Sequence, residues 1–292
     1  MPKEFKTIAE QIDLFKKRGL TITDEKAATS FLLENNYYRI SGYSLTLRKH
    51  DQFYNNTTFD NIMDIYYFDY ELRIALLKYI AKIEIKFKSI YAYLFCQKYG
   101  PMGYLESSHF TDLNEYNKII QKTKKQVKKS LSNEAFIRHY LLDLNEDLPF
   151  WAYIEVFSIS DISRLYKISD KQLKQDVAEK MGFELKNRDE IVEKYMHGMT
   201  IIRNFCAHNC RLFNRLFATK PYLKKKDKQL LILDRNGNRD NNHLFGFILN
   251  MQYLLCEEDY KQLKNDIVRI KNKYPFVNLK YYGINGEWYK TI

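Results

Sequence analysis

Glycine and proline are scarce in this 292-residue chain, at 10 and 5. A β-sandwich or a disordered segment needs more turn-forming and chain-breaking residues, which leaves a compact, mostly helical protein. Cysteine is limited to Cys96, Cys206, Cys210 and Cys256. Four thiols without a framework spacing exclude a disulfide-built fold and suit a reducing compartment. No apolar run reaches the length of a membrane span, and the opening MPKEFKTIAE lacks the apolar stretch of a signal peptide. A cytoplasmic protein with no membrane partner is therefore expected.

Positive charge and aromatic rings are abundant instead. Lys and Arg total 47 against 36 Asp and Glu, a formal charge of +11, and there are 24 Tyr and 19 Phe. A polyanionic partner follows from the charge, with nucleic acid favoured over a membrane surface. Tyrosine beside lysine and arginine suits stacking on bases, although many of these rings will be core residues with one wet end.

The segment RNFCAHNCRLFNR, Arg203–Arg215, carries the most chemistry. Read as a helix at about 100° per residue, it sorts cleanly. Arg203, Asn204, Ala207, His208, Arg211, Asn214 and Arg215 share one arc of about 140°. Leu212, Phe205, Leu216, Phe213 and Cys206 take the other side, with Asn209 the one polar intruder. Arginine offers a planar fork matched to phosphate oxygens, and histidine exchanges a proton near neutral pH. Arg203 and His208 lie about 7.5 Å apart along such an axis, close enough to converge on one phosphate. Asn204 could orient the imidazole or bind phosphate, and Arg211 and Arg215 fit backbone contacts to RNA. A solvated basic helix face is the plain alternative. Cys206, His208 and Cys210 are not expected to bind metal, because the wheel puts both thiols about 160° or more from the imidazole.

Elsewhere, apolar periodicity predicts helices over residues 4–17 and from Thr23 or Asp24, then a junction at Tyr37–Tyr43 around Gly42. A long helix is expected from about Asp60 to Lys98, burying Ile65, Phe68, Leu72, Leu76, Tyr79, Ile80, Ile83, Phe87, Ile90 and Leu94. Asp69 falls inside that buried arc, and Arg73 and Glu84 lie just beyond it. Either Asp69 pairs with Arg73 one turn on, or Asp69 or Glu84 orients Arg203. Lys118–Lys129 forms a basic amphipathic segment. There Lys124, Lys125, Lys128 and Lys129 make either a solvated face or a ridge that tracks phosphates. Further helices are expected from Leu148, over Asp170–Lys180 and over Asp189–Phe217, with an amphipathic stretch at His243–Cys256. A short strand or helix is placed at Leu230–Leu233, before a turn-rich tail ending YYGINGEWYKTI.

RNFCAHNCRLFNR resembles the signature of HEPN-type proteins, whose Arg–(four to six residues)–His motif marks a family of RNases. The longer wording resembles the Abi-type abortive-infection proteins of bacteria, the AbiD/AbiF-like group. YYRISGY at Tyr37–Tyr43, FDYELR at Phe68–Arg73, the IEIKFKSIYAY run from Ile83 and LPFWAYIEVFSISDISRLY from Leu148 match in the same order. The resemblance implies an all-α, HEPN-like bundle at residues 61–292, with residues 1–60 a helical extension integrated with it and a short irregular C-terminal segment. It also implies a metal-independent endoribonuclease without cofactor, in phage defence or a toxin–antitoxin system, with Arg203, Asn204 and His208 catalytic. HEPN-type RNases join two motifs across a two-fold interface, and this chain has a single Arg–His pair at the permitted spacing. A homodimer with a composite site is expected, held by apolar contacts for which Phe205, Phe213 and Leu148–Phe157 are candidates. The alternatives are a non-catalytic RNA-binding module regulated by or bound to a structured small RNA, and a toxin neutralised by a small-RNA or protein antitoxin.

Overall fold

The computed structural model describes residues 4–234, 236–286 and 288. Its spine is one helix, Phe59–Tyr99, about 60 Å long at 1.5 Å per residue. Thr58 and Asn61 start it with reciprocal caps: each side chain accepts the other's backbone N–H. Gly100 ends it at φ 77°. Most of the buried stripe expected from the sequence is observed, with Ile65, Phe68, Leu72, Leu76, Tyr79, Ile80, Ile83 and Phe87 all within the core. Toward the end of the helix Ile90 and Leu94 are only partly buried, and Tyr91 and Phe95 fill the core there.

Three helices precede the spine: α1 (Ile8–Lys17), α2 (Glu25–Glu34) and α3 (Tyr37–Tyr43). The stretch expected to be a junction at Tyr37–Tyr43 is thus helical, started by Asn36, whose side chain accepts the N–H of Tyr38. A two-stranded hairpin, β1 (Arg48–Lys49) and β2 (Gln52–Phe53), turns through His50 and Asp51, both at positive φ. These elements wrap the start of the spine, α4, through Phe15 on Phe53 and Phe59 and through Phe31 on Phe59. The apolar core therefore runs unbroken from α1 into α4.

After α4 come α5 (Leu113–Ser130), the short α6 (Ala135–Arg138) and α7 (Phe150–Tyr153), then α8 (Ile159–Ile168), α9 (Lys171–Lys180) and α10 (Arg188–Ala207). The short α11 (Lys225–Lys228) leads to α12 (Phe245–Leu254) and α13 (Glu257–Lys273). All-α is the correct class: α9, α10 and α13 pack on α4, α8 packs on α10, and α5 packs on α8. The helix α13 is absent from the sequence reading. Leu263, Ile267 and Ile270 are buried at helical spacing, with acids in its first turn and lysines in its last. Leu230–Leu233 forms no regular strand or helix; Leu233 makes a single bridge to Arg239. Arg235 and most of the final WYKTI lie outside the described residues.

Candidate functional site

The helix that carries Arg203 stops at Ala207, ten residues before the expected end at Phe217. Arg203 and Asn204 sit in its last turn, and His208 is the cap. Asn209 then turns left-handed at φ 54°, donating its N–H to the carbonyl of Cys206, while Cys210 donates to Phe205. These two bonds close a Schellman motif, in which a residue able to adopt positive φ ends the helix and satisfies its last carbonyls. Asparagine is the non-glycine residue best suited to that position. The residue that looked like an intruder on the apolar side is the terminator. Arg211 and Arg215 therefore do not continue a helical stripe; they stand on the loop that follows.

That loop is held by a buried carboxylate from α4. Asp69 has no exposed surface. It accepts the N–H of Phe213 at 2.8 Å and of Leu212 at 3.2 Å, the hydroxyls of Tyr43 at 2.9 Å and Tyr282 at 3.0 Å, and a hydrogen bond from Arg73. Burial pushes the carboxyl of Asp69 upward, against the pull of Arg73 and these donors. Burial likewise raises both tyrosines, which keeps them protonated donors. The sequence alternatives resolve here. Asp69 pairs with Arg73 and anchors the loop; neither Asp69 nor Glu84 bonds to Arg203 among the described residues. Glu84 pairs with Lys88 at 3.3 Å instead.

The α3 helix closes the other side. Arg39 donates to the carbonyl of Asn209 at 2.7 Å, Tyr43 stacks on Phe213, and Gly42 faces Arg211 so closely that a Cβ there would lie 3.1 Å from its Nε. YYRISGY, FDYELR and RNFCAHNCRLFNR, far apart in sequence, thus meet in one place. Arg39, Tyr43 and Tyr282 were not singled out from the sequence, because only tertiary contact reveals what they touch.

The charge of this place is one-sided. Arg18, Arg48, Arg73, Arg164, Arg188 and Arg269 form ion pairs. Arg39, Arg203, Arg211 and Arg215 form none among the described residues. Their bonds go to Asn209 O, Asn204 Oδ1, Phe213 O and Arg211 O respectively. Burial, and to a lesser degree the neighbouring Arg215, lower the guanidinium of Arg211, against the pull of Tyr43, Asp69 and Tyr282. The His208 side chain is exposed and bonds to nothing among the described residues. Cys206 faces the core, where burial pushes its thiol up to about 12, away from any nucleophilic role. No group of three or more metal-ligating side chains occurs among the described residues.

Lys124, Lys125, Lys128 and Lys129 are exposed on α5. Ion pairs and hydrogen bonds fix their end of the bundle: Glu115 meets Arg164 and Lys122 meets Asp161, while Glu193 meets Lys167 and Thr200 meets the carbonyl of Ile159. Both α5 and α10 run antiparallel to α8, so the lysines and His208 lie toward the same end. Of the expected dimer contacts, Phe213 and most of the apolar side chains of Leu148–Phe157 are buried or partly buried in the core, and Phe205 packs on Phe217 under Arg215; Trp151 and the charged Glu155 are exposed. The apolar residues chosen from sequence were spent on the fold.

A family model described as Abi-like protein matches residues 30–214, a span that holds α3, Asp69, Arg73 and the Arg203–His208 pair. No curated protein and no solved structure matches the chain.

Two substitutions test this construction. Asn209→Gly keeps the left-handed turn and leaves the unfolding midpoint in denaturant unchanged or higher. Asn209→Ala costs about 1 kcal/mol, because a Cβ without a local polar partner disfavours positive φ. Asp69→Asn places amide hydrogens against backbone donors and strands the Arg73 charge. It lowers unfolding free energy by about 3–5 kcal/mol; a loss under 1 kcal/mol would remove Asp69 from its anchoring role.

Proposed function

We propose, from the premise that the chain belongs to the Abi-like protein family, that it is an HEPN-type endoribonuclease working in abortive-infection defence. The family name itself ties the chain to abortive infection, a response to phage. The observation that carries the nuclease reading is the exposed His208 imidazole at the end of a helix, with Arg203 in that helix's last turn, Arg39 bonded to the next residue's carbonyl and Arg211 and Arg215 on the loop that follows, none in an ion pair among the described residues.

RNA is cleaved when the 2′-oxygen attacks the adjacent phosphorus and the 5′-oxygen leaves. A base takes the 2′-OH proton, cations hold the charge of the pentacoordinate phosphorane, and an acid protonates the departing oxygen. The products are a 2′,3′-cyclic phosphate and a 5′-hydroxyl. In this reading neutral His208 is the base and Arg203 the principal phosphate fork, with Asn204 holding phosphate or imidazole. The end of a helix carries about half a negative charge, which opposes phosphate binding. The arginines offset it, and their number supports an anion as the ligand. Arg211, Arg215 and the lysines Lys124, Lys125, Lys128 and Lys129 extend contact along the RNA backbone.

One imidazole cannot be neutral base and protonated acid in the same step. A homodimer that faces two His208 residues toward one cleft supplies both. Partners in this reading are the RNA substrate, a second copy of the chain, and a small-RNA or protein antitoxin that restrains it.

Purified protein incubated with RNA in excess EDTA should leave 2′,3′-cyclic phosphate ends, identified by end-specific ligation and sequencing. His208→Ala should lower cutting at least a hundredfold with an unchanged thermal midpoint, since the side chain is exposed. Wild-type cutting by the variant, or cutting that stops in EDTA and returns with Mg²⁺, overturns the Arg–His mechanism.

A further inference from the structure

The long helix α4 buries one stripe and leaves a second apolar stripe open. Tyr67, Tyr70, Ile74, Leu77, Ala81 and Ile85 follow one another at steps of three or four and fall within an arc of about 80°. Tyr67, Tyr70, Ile74 and Ile85 are 41%, 45%, 51% and 68% exposed. This is the spacing of a coiled-coil seam, drawn on the outside of the molecule; within the chain Tyr67 touches Phe31 of α2 and Leu77 is partly buried against the core. An apolar stripe of this length on a charged surface marks a contact.

What borders the stripe identifies the occupant. On one side α4 turns to Asp69 and Arg73 and so to the loop after His208. On the other it presents Asp60 and Asp64 near its start, then Lys78 and Lys82 further on, with Glu71 between them held by Lys273 and Tyr274 of its own chain. Acid before base along one flank is self-complementary when the helix meets an antiparallel copy of itself.

We infer that the exposed stripe of α4 is the interface of a two-fold symmetric dimer of this chain, centred at Ile74. With Ile74 on its own counterpart, Met63 meets Ile85 of the second copy, Tyr67 meets Ala81 and Tyr70 meets Leu77. On the acid–base flank Asp64 comes opposite Lys82 of the second copy. Asp64 has no basic partner in its own chain among the described residues, and burial together with Asp60 raises its carboxyl. Lys78 and Lys82 remain about half exposed beside Asp266 and Asp259, free to share a second carboxylate.

The symmetry also places the sites. A two-fold axis across antiparallel helices sets like flank against like flank, so both loops anchored at Asp69 emerge on the same side. The two Asp69 positions are offset by about 15 Å along the helix axes, and the two Arg73 positions by about 3 Å. The choice of a second copy as occupant rests on the composite-site reading proposed above, which needs two motifs within reach of one cleft.

Sedimentation of the full chain tests it. Wild type should associate reversibly to a dimer, and Ile74→Glu should sediment as a monomer with unchanged helical signal and thermal midpoint. Ile85→Glu should weaken the dimer likewise. With Cys256→Ser as background, Ile74→Cys should form an intermolecular disulfide on oxidation, whereas Ser89→Cys, exposed but off the stripe, should not. A monomer at every concentration, a dimer that survives Ile74→Glu, or equal crosslinking at Ser89 overturns the inference. So does a chain that stays monomeric and loses RNA binding with Ile74→Glu, which would make RNA the occupant. Cleavage is read separately: a stripe-dependent dimer that cuts no RNA upholds the interface and removes the nuclease reading.

Discussion

A carboxylate cut off from water must be satisfied within the chain, and Asp69 is satisfied by four separate segments. Arg73 comes from its own helix, Tyr43 from α3, the N–H groups of Leu212 and Phe213 from the loop after α10, and Tyr282 from the C-terminal region. Arg73 reaches the carboxylate within α4 itself, whereas the donors from the other three segments meet it only when those segments pack together. The geometry of His208, four residues before Leu212, is inherited from this arrangement.

The pairing with Arg73 adds register more than stability. A buried ion pair often breaks even against an apolar pair of the same volume. Arg73 also leaves its Nε and Nη2 buried without a hydrogen-bond partner among the described residues, a cost of about 1–3 kcal/mol for each such group by the usual measure. An apolar pair would avoid that cost and pack as well. It would not accept the N–H of Leu212 and Phe213, and the loop that carries Arg211 and Arg215 would then have no fixed path.

Much of this was legible in the sequence wherever one element sufficed to determine the outcome. The buried stripe of α4 is a periodic signal over many turns, and periodicity is the strongest evidence a single sequence offers. Asp69 stood out because an acid in that stripe demands a partner. The wheel over Arg203–Arg215 failed for an equally local reason. A helical projection assumes the helix continues, and Asn209 was read by its polarity alone, without weighing its tolerance of positive φ. Arg211 and Arg215 stand instead on the loop after α10, bonded to the carbonyls of Phe213 and Arg211. Arg39, Tyr43 and Tyr282 were out of reach because their partners lie about 30 to 210 residues away, a distance no spacing rule spans. The error over Phe213 and Leu148–Phe157 has the same origin: sequence identifies apolar residues, not which of them the fold will consume.

The helix α4 is therefore asked to do three things around its circumference. One stripe forms the core, the next flank anchors the loop of the candidate site, and the opposite flank from that anchor binds α13. The remaining arc is the exposed apolar stripe. A single rigid helix relates all of these by fixed angles and a fixed rise per residue. Any partner seated on the stripe is consequently held at a set distance from the Asp69 anchor, which lies on the same helix. A loop could present the same residues to a partner but not the same spacing. Under the proposed mechanism two proton-transfer groups on one phosphate would need placement to within about an ångström, a demand that an anchor on the long, rigid α4 would help to meet.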